Sequence, residues 1–352
     1  MNRGKKSAGA DRAFAGAIES FYIETPEGLF FAVKGLEHPP GRRIAVVRYV
    51  PDPVSGDRHK GGMAYRRLYH FSEQEETLRA QYPRFLAFDP AFRLRLQSVP
   101  LSAVAQVHDP RRKYREMAGG CAAEGIEADA CGFLDLLRRE AHVPASDLGI
   151  TGSLLVGLHT RDSDLDLVVF GSGSCAKVHG AMRRILDGSR GGELRRLDAD
   201  GMAALHEQRD ADTRMDYDVF LALEKRKVNQ GRFRQRPYFV RFVPKAHEVG
   251  PGYGHLRYSP QGRTVIDASV VDDREAIFTP CRYGISGVRI LEGHAVGDLN
   301  EIVSFRGRFC EQARAGESVR ATGTLERVET ATGSVHHRLL LGNAPEDSLV
   351  PK

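Results

Sequence analysis

The sequence predicts an α+β protein of several domains, with a central α/β core between a β-rich N-terminal segment and a small β-rich tail. Three observations lead there. At 352 residues the chain is long enough for two or three domains, each with its own core. Strand-like runs dominate both ends, whereas strands and helices alternate between about 118 and 245. Hydrophobic residues make up 41% and charged residues 28%, the balance of a soluble globular protein, and no apolar run approaches the length of a membrane span.

The elements follow in order. Residues 1–12 read as a disordered basic leader, because Asp11 and Arg12 interrupt it and the apolar run 13–18 is too short for a signal-peptide core. A β-rich N-terminal domain is expected over 13–117. Its residues 20–25 and 29–34 flank the turn Pro26-Glu27-Gly28, which suggests a hairpin. His38-Pro39-Pro40-Gly41 breaks the chain before a strand over 43–50, and a helix is expected over 72–79. The basic run 111–117 starts a helical passage into the core, taken as 118–245. There a helix over 131–142 places Phe133, Leu136 and Leu137 on one face. Residues 171–174 read as a loop and 176–186 as a returning helix. The C-terminal domain, 246–352, shows short strands near 288–291, 301–308, 318–328 and 335–341, parted by turns at Gly293, Gly297, Gly316 and Gly333. Five short strands closing on themselves would resemble an OB-type β-barrel, a platform for nucleic acid.

The most informative segment is 151–169. Gly152-Ser153 is followed, after about ten residues, by Asp164-Leu165-Asp166 and a short apolar β-type run. Side chains alternate faces along a strand, so Asp164 and Asp166 point the same way, about 6 to 7 Å apart. Their repulsion at an effective dielectric near 20 is on the order of 2 to 3 kcal/mol. A divalent cation removes that cost, and hard oxygen ligands suit Mg²⁺. Gly152 permits a tight turn and close approach to a ligand. Ser153 stands at the expected start of a short helix over 153–158, where exposed N–H groups favour phosphate.

This pattern resembles the DNA polymerase β-like nucleotidyltransferase superfamily, whose signature is Gly-Ser, a spacer of this length, then Asp-x-Asp. With 278–283 (Phe-Thr-Pro-Cys-Arg-Tyr) and 304–310 (Ser-Phe-Arg-Gly-Arg-Phe-Cys), the whole chain looks like the uncharacterised predicted nucleotidyltransferases common in archaea. The resemblance implies transfer of a nucleoside monophosphate from a nucleoside triphosphate to a hydroxyl on RNA, protein or a small molecule, with release of pyrophosphate. It implies that Gly152 and Ser153 hold the phosphates and that Asp164 and Asp166 bind Mg²⁺ or Mn²⁺.

A third carboxylate normally completes that site. Read as a strand, 214–221 offers Asp216 and Asp218 on one face, and Asp218 is the candidate. Read as a helix, Asp216 or Asp218 caps it, and Phe220, Leu223 and Val228 form the inward stripe. The helix formers in 221–227 favour the second reading. The run 238–243 then takes the third-strand position and carries no acid. That outcome would favour a catalytically degenerate fold acting as a nucleic-acid-binding protein.

Net charge is +5, and the positive charge concentrates between 224 and 245. Lys225, Arg226 or Lys227 could steady a triphosphate. With Arg232, Arg234, Arg236, Arg241, Lys245 and the interleaved Phe233, Tyr238, Phe239 and Phe242, the stretch could instead contact RNA or DNA, or form a solvated face. Five scattered cysteines without a Cys-x-x-Cys motif point to reduced thiols in a cytoplasmic protein.

Overall fold

A computed structural model of the protein describes residues 11–120, 124–188, 192–210, 214–250 and 252–352. Most of the expected leader, and Cys121, lie outside the described residues. The architecture is mixed α+β with several distinct sheets, and the chain divides into two compact units. The first draws on 1–88, 95–195 and 231–250, the second on 89–94, 196–230 and 251–352. Most of the expected N-terminal and central segments thus share one unit.

In the first unit, β1 (Tyr22–Glu24) and β2 (Phe30–Val33) form the expected antiparallel hairpin. Next come β3 (Arg42–Pro51), β4 (Arg58–Lys60) and β5 (Met63–Arg67), then the helix Phe71–Gln81. β6 (Leu86–Asp89), β7 (Leu94–Pro100) and β8 (Gln106–His108) complete an eight-stranded sheet of order β4-β5-β3-β2-β1-β8, with β7 paired to β3 and β6.

The helix Pro110–Ala118 starts on Asp109, which accepts from Arg111 N, and on a proline at its first position. The helix Ile126–Ala141 buries Phe133, Leu134 and Leu137. Leu136, expected inward, is half-buried, because the stripe continues from Ile126 and Ala130 through Leu134. A second sheet follows from β9 (Leu148–Ile150), β10 (Leu165–Phe170), β11 (Leu194–Arg195), β12 (Gln230–Phe233) and β13 (Arg236–Val243), in the order β11-β12-β13-β10-β9. β10 is antiparallel to β9 and parallel to β13. The helix after β10 spans Ser172–Gly188 and so absorbs most of the expected loop at 171–174. Its first turn is capped from outside the local sequence: Ser172 N and Oγ donate to Glu248 at 2.9 and 3.0 Å.

The two sheets share a core. Phe21, Phe31 and Val47 pack with Val168, Phe170 and Val243. On another side Tyr22, Phe30, Tyr49 and Tyr65 pack on Leu155, Val156 and Leu158.

The second unit contains the helices Ala199–Asp210 and Tyr217–Glu224 and a third sheet. Its strands are β14 (Leu256–Asp272), β15 (Cys281–Glu292), β16 (Leu299–Ser304), β17 (Ser318–Thr330), β18 (Val335–Leu341) and β19 (Ser348–Pro351). β14 pairs with both β15 and β17, so five strands form a ring, β14-β15-β16-β18-β17-β14. The β16–β18 pair is parallel; the other pairs around the ring are antiparallel. β14 escapes sequence reading because a polar run with a register shift between Pro260 and Gly262 interrupts its alternation.

Cys175, Cys281 and Cys310 are free and buried. Cys131 takes part in a disulfide, which corrects the expectation of reduced thiols throughout. No helix among the described residues is long and apolar enough to cross a membrane.

Candidate functional site

The Gly-Ser bend is pinned to the strand that carries the acids. β9 is wholly buried, and the chain leaves it at Thr151, whose N–H donates to the Asp166 carbonyl at 2.9 Å. The Thr151 hydroxyl donates to the Ser20 carbonyl at 2.6 Å, tying the bend to the first sheet as well. Gly152 then adopts φ +65. A Cβ there would lie 2.2 Å from Asp166 Oδ2 and 2.7 Å from Asp166 Cβ, so only glycine fits. The helix that follows, Gly152–Val156, has just five residues and ends at Gly157, also at positive φ. Ser153 is buried within it.

The acids keep the expected alternation. Asp164 and Asp166 are half-buried, while Ser163, Leu165 and Leu167 are buried. Burial pushes the Asp166 carboxyl up to about 6, and the charge of Asp164 adds to the effect. Three guanidinium groups oppose that rise: Arg241, Arg67 and Arg48. Burial works against the charge of Arg67, yet Tyr49, Asp164, Tyr69 and Asp166 together hold it more firmly protonated. The Tyr22 phenol is raised by burial and senses Arg48, Asp166, Arg67 and Arg241. Sequence reasoning did not single out Arg48, Arg67 or Tyr22 for this site.

The position expected for a third acid is occupied differently. On β13, Phe239 stands opposite Asp166 and Arg241 opposite Val168. Phe239 and Arg241 are half-buried on the carboxylate side, while Tyr238, Val240 and Phe242 face the core. The Arg241 guanidinium lies 5.0 Å from the Phe239 ring centroid. The helical reading of 217–224 holds: Asp216 is the N-cap and accepts from Asp218 N and Val219 N, at 3.0 and 3.2 Å. Asp218 is exposed in the first turn, and it belongs to the second unit, whereas Asp164 and Asp166 belong to the first.

The proposed triphosphate cations also lie in the second unit. Lys225 caps the same helix at its C-terminus and is exposed. Arg226 donates to both carboxylate oxygens of Glu317, at 2.8 and 2.9 Å. Lys227 is buried, its Nζ donating to Glu224 Oε1, the Arg308 carbonyl and Gln312 Oε1 at 2.8, 2.6 and 3.0 Å. Further along, Arg234 and Arg236 both bind Asp129, and Lys245 pairs with Asp147. Much of the positive charge between 224 and 245 is therefore matched by carboxylates of the chain itself.

Among the described residues, no group of three or more His, Cys, Asp or Glu side chains is arranged to hold a metal ion. Asp164 and Asp166 nevertheless suit a hard divalent cation as two of its ligands. They share a face and repel each other, and the missing side chain of Gly152 lets the bend close directly onto the Asp166 carboxylate.

No protein-family model matches the chain. No solved structure matches it either. The chain is similar to the uncharacterized protein MJ1086 of Methanocaldococcus jannaschii, with 27% identity over 332 residues, covering 92% of this chain and 95% of that protein.

Proposed function

We propose that the protein transfers a nucleoside monophosphate from a nucleoside triphosphate to a hydroxyl acceptor in a Mg²⁺-dependent reaction that releases pyrophosphate. One observation carries the reading: Gly152 lies directly against the Asp166 carboxylate, so a Gly-Ser bend and an acid pair separated in sequence meet at one place. Asp164 and Asp166 would hold the cation, and the absence of a Cβ at Gly152 lets the Gly-Ser bend reach the Asp166 carboxylate. Mg²⁺ or Mn²⁺, when bound, lowers the pKa of an attached hydroxyl and offsets charge on the phosphates. The sheet β9 to β13 is then a polymerase β-like core. The ring order first-second-third-fifth-fourth, with third and fifth strands parallel, supports an OB-type barrel for the tail.

The test incubates the full chain with Mg²⁺, each labelled nucleoside triphosphate in turn, and total RNA, then follows label into RNA, the protein or small molecules. The double variant Asp164→Ala with Asp166→Ala should lose all transfer while keeping its circular dichroism spectrum. Retained transfer would remove the acid pair from the mechanism.

A second reading has its own support in Phe239 and Arg241, which stand where the family resemblance calls for a third acid. On that reading the fold binds RNA or DNA without catalysis. The same assay would then label nothing, while RNA binding would weaken steeply with salt.

A further inference from the structure

We propose that Arg48, Arg67 and Arg241 hold the phosphate chain of the nucleotide, opposite the metal-binding edge formed by Asp164 and Asp166. The inference rests on the nucleotide reading above, and it assigns the triphosphate to cations of the first unit rather than to Lys225 and Arg226.

Strand register brings the arginines together. Across β2 and β3, Phe30 opposes Tyr49 while Phe31 opposes Val47, so Arg48 is an extra residue in a β-bulge. A bulge re-aims a side chain. Here it leaves Arg48 on the face of Val46, which is also the face of Tyr49 once the register has shifted. Tyr49 in turn opposes Arg67 on β5, and Tyr22 opposes Ala32, the partner of Val46. This one face carries Tyr22, Arg48 and Arg67 and packs its aromatic residues on Leu155, Val156 and Leu158, just after the Gly-Ser bend. Arg241 arrives from the other sheet, on the Asp166 side of β13.

Neither aspartate is clasped by Arg48 or Arg67. Among the described residues, Asp164, Asp166, Arg48 and Arg67 form no ion pair, although each arginine acts electrostatically on Asp166. Arg67 Nε is buried without a hydrogen-bond partner, a donor that lacks an acceptor in a part-buried setting where such a loss is costly. Two carboxylates beside the unpaired Arg48 and Arg67 guanidiniums match a ligand that is itself divided: a divalent cation at one end and a chain of anionic phosphate oxygens at the other. Guanidinium forks bind such oxygens in charge-assisted pairs.

The test uses inorganic tripolyphosphate without metal, titrated calorimetrically into the full chain at low ionic strength. Arg48→Gln, Arg67→Gln and Arg241→Gln should each weaken binding about tenfold or more, the loss of one charge-assisted contact. Arg67→Lys should retain part of the affinity, and Arg79→Gln, on an exposed helix, should retain all of it. Thermal melting identifies any variant that fails to fold; Arg67→Lys and the remaining glutamine variants then decide the matter. Asp164→Asn with Asp166→Asn should tighten metal-free tripolyphosphate binding while abolishing nucleotidyl transfer. Wild-type affinity in all three glutamine variants, or no tripolyphosphate binding by the wild type, would overturn the proposal and leave the transfer reading standing. Loss of binding in the arginine variants of a protein that transfers no nucleotide would instead keep this assignment and reject the catalytic one.

Discussion

Replacing Gly152 by alanine probes the contact on which the site depends. A residue with a Cβ at φ +65 pays a conformational penalty of about 1 to 2 kcal/mol. The added methyl would also stand 2.2 Å from Asp166 Oδ2 and 2.7 Å from Asp166 Cβ. Rotating the carboxylate relieves the first contact but not the second, because Asp166 Cβ is fixed to β10. That strand cannot easily retreat, since Leu165, Leu167 and Val168 are fully buried. Overpacking of this kind costs about 1 to 3 kcal/mol, for a combined loss of about 2 to 5 kcal/mol. Gly157 supplies the internal control: its φ is +71, but a Cβ there would meet nothing within 4 Å. Gly157→Ala should therefore lose only the conformational part, about 1 to 2 kcal/mol. Urea unfolding followed by far-ultraviolet circular dichroism measures both, and tyrosine emission serves as a second probe because the chain has no tryptophan. Equal losses at the two positions would mean that the bend does not abut Asp166, and the convergence argument would fail with it.

Four further outcomes are expected. Asp166, raised to about 6 by burial and Asp164, binds its proton more tightly folded than unfolded, so its contribution is greatest at low pH. Stability should fall by about 3 kcal/mol as pH rises from about 4 through 6, and Asp166→Asn should abolish that fall. Mg²⁺ favours the ionised carboxylate, so calorimetric affinity for Mg²⁺ should climb through the same interval and level off above it; a flat profile would contradict the assignment. Lys227→Met breaks a buried pair with Glu224 and should cost about 3 to 5 kcal/mol in urea unfolding, whereas an unchanged midpoint would deny that network. On the β-ring, Asp267 gathers Arg320, Lys352 and Arg289 at 2.9, 2.7 and 2.7 Å. Asp267→Asn should lower the melting temperature most at low salt and recover as salt screens the three cations, and a salt-independent loss would argue against repulsion as the cause.

Local chemistry made several elements readable in advance. The hairpin around Gly28 and the helix capped by Asp216 follow from turn and capping residues. The alternation of Asp164 and Asp166 against Leu165 and Leu167 needs only the two-residue period of a strand. For the same reason 238–243 was legible as an acid-free strand. Elements controlled by distant partners were not. The helix Ser172–Gly188 starts early because Glu248, more than seventy residues later, caps it. Leu134 rather than Leu136 turns inward because tertiary packing chooses among the faces of an apolar helix.

By itself, then, the order of residues determined a glycine-serine bend, a pair of acids on one strand face, and the lack of a third acid on the neighbouring strand. Only the tertiary structure decided which cations surround them. Arg48 and Arg67 lie about a hundred residues before Asp164, and a one-residue bulge puts Tyr49, the partner of Arg67, on the same face as Arg48. Meanwhile Arg226 and Lys227, closer to the acids in sequence and apparently suited to phosphate, are tied to Glu317 and Glu224 in the second unit. The physical reason is that a strand's own period sets which way its side chains point, whereas charge pairing and sheet register are settled between segments far apart along the chain.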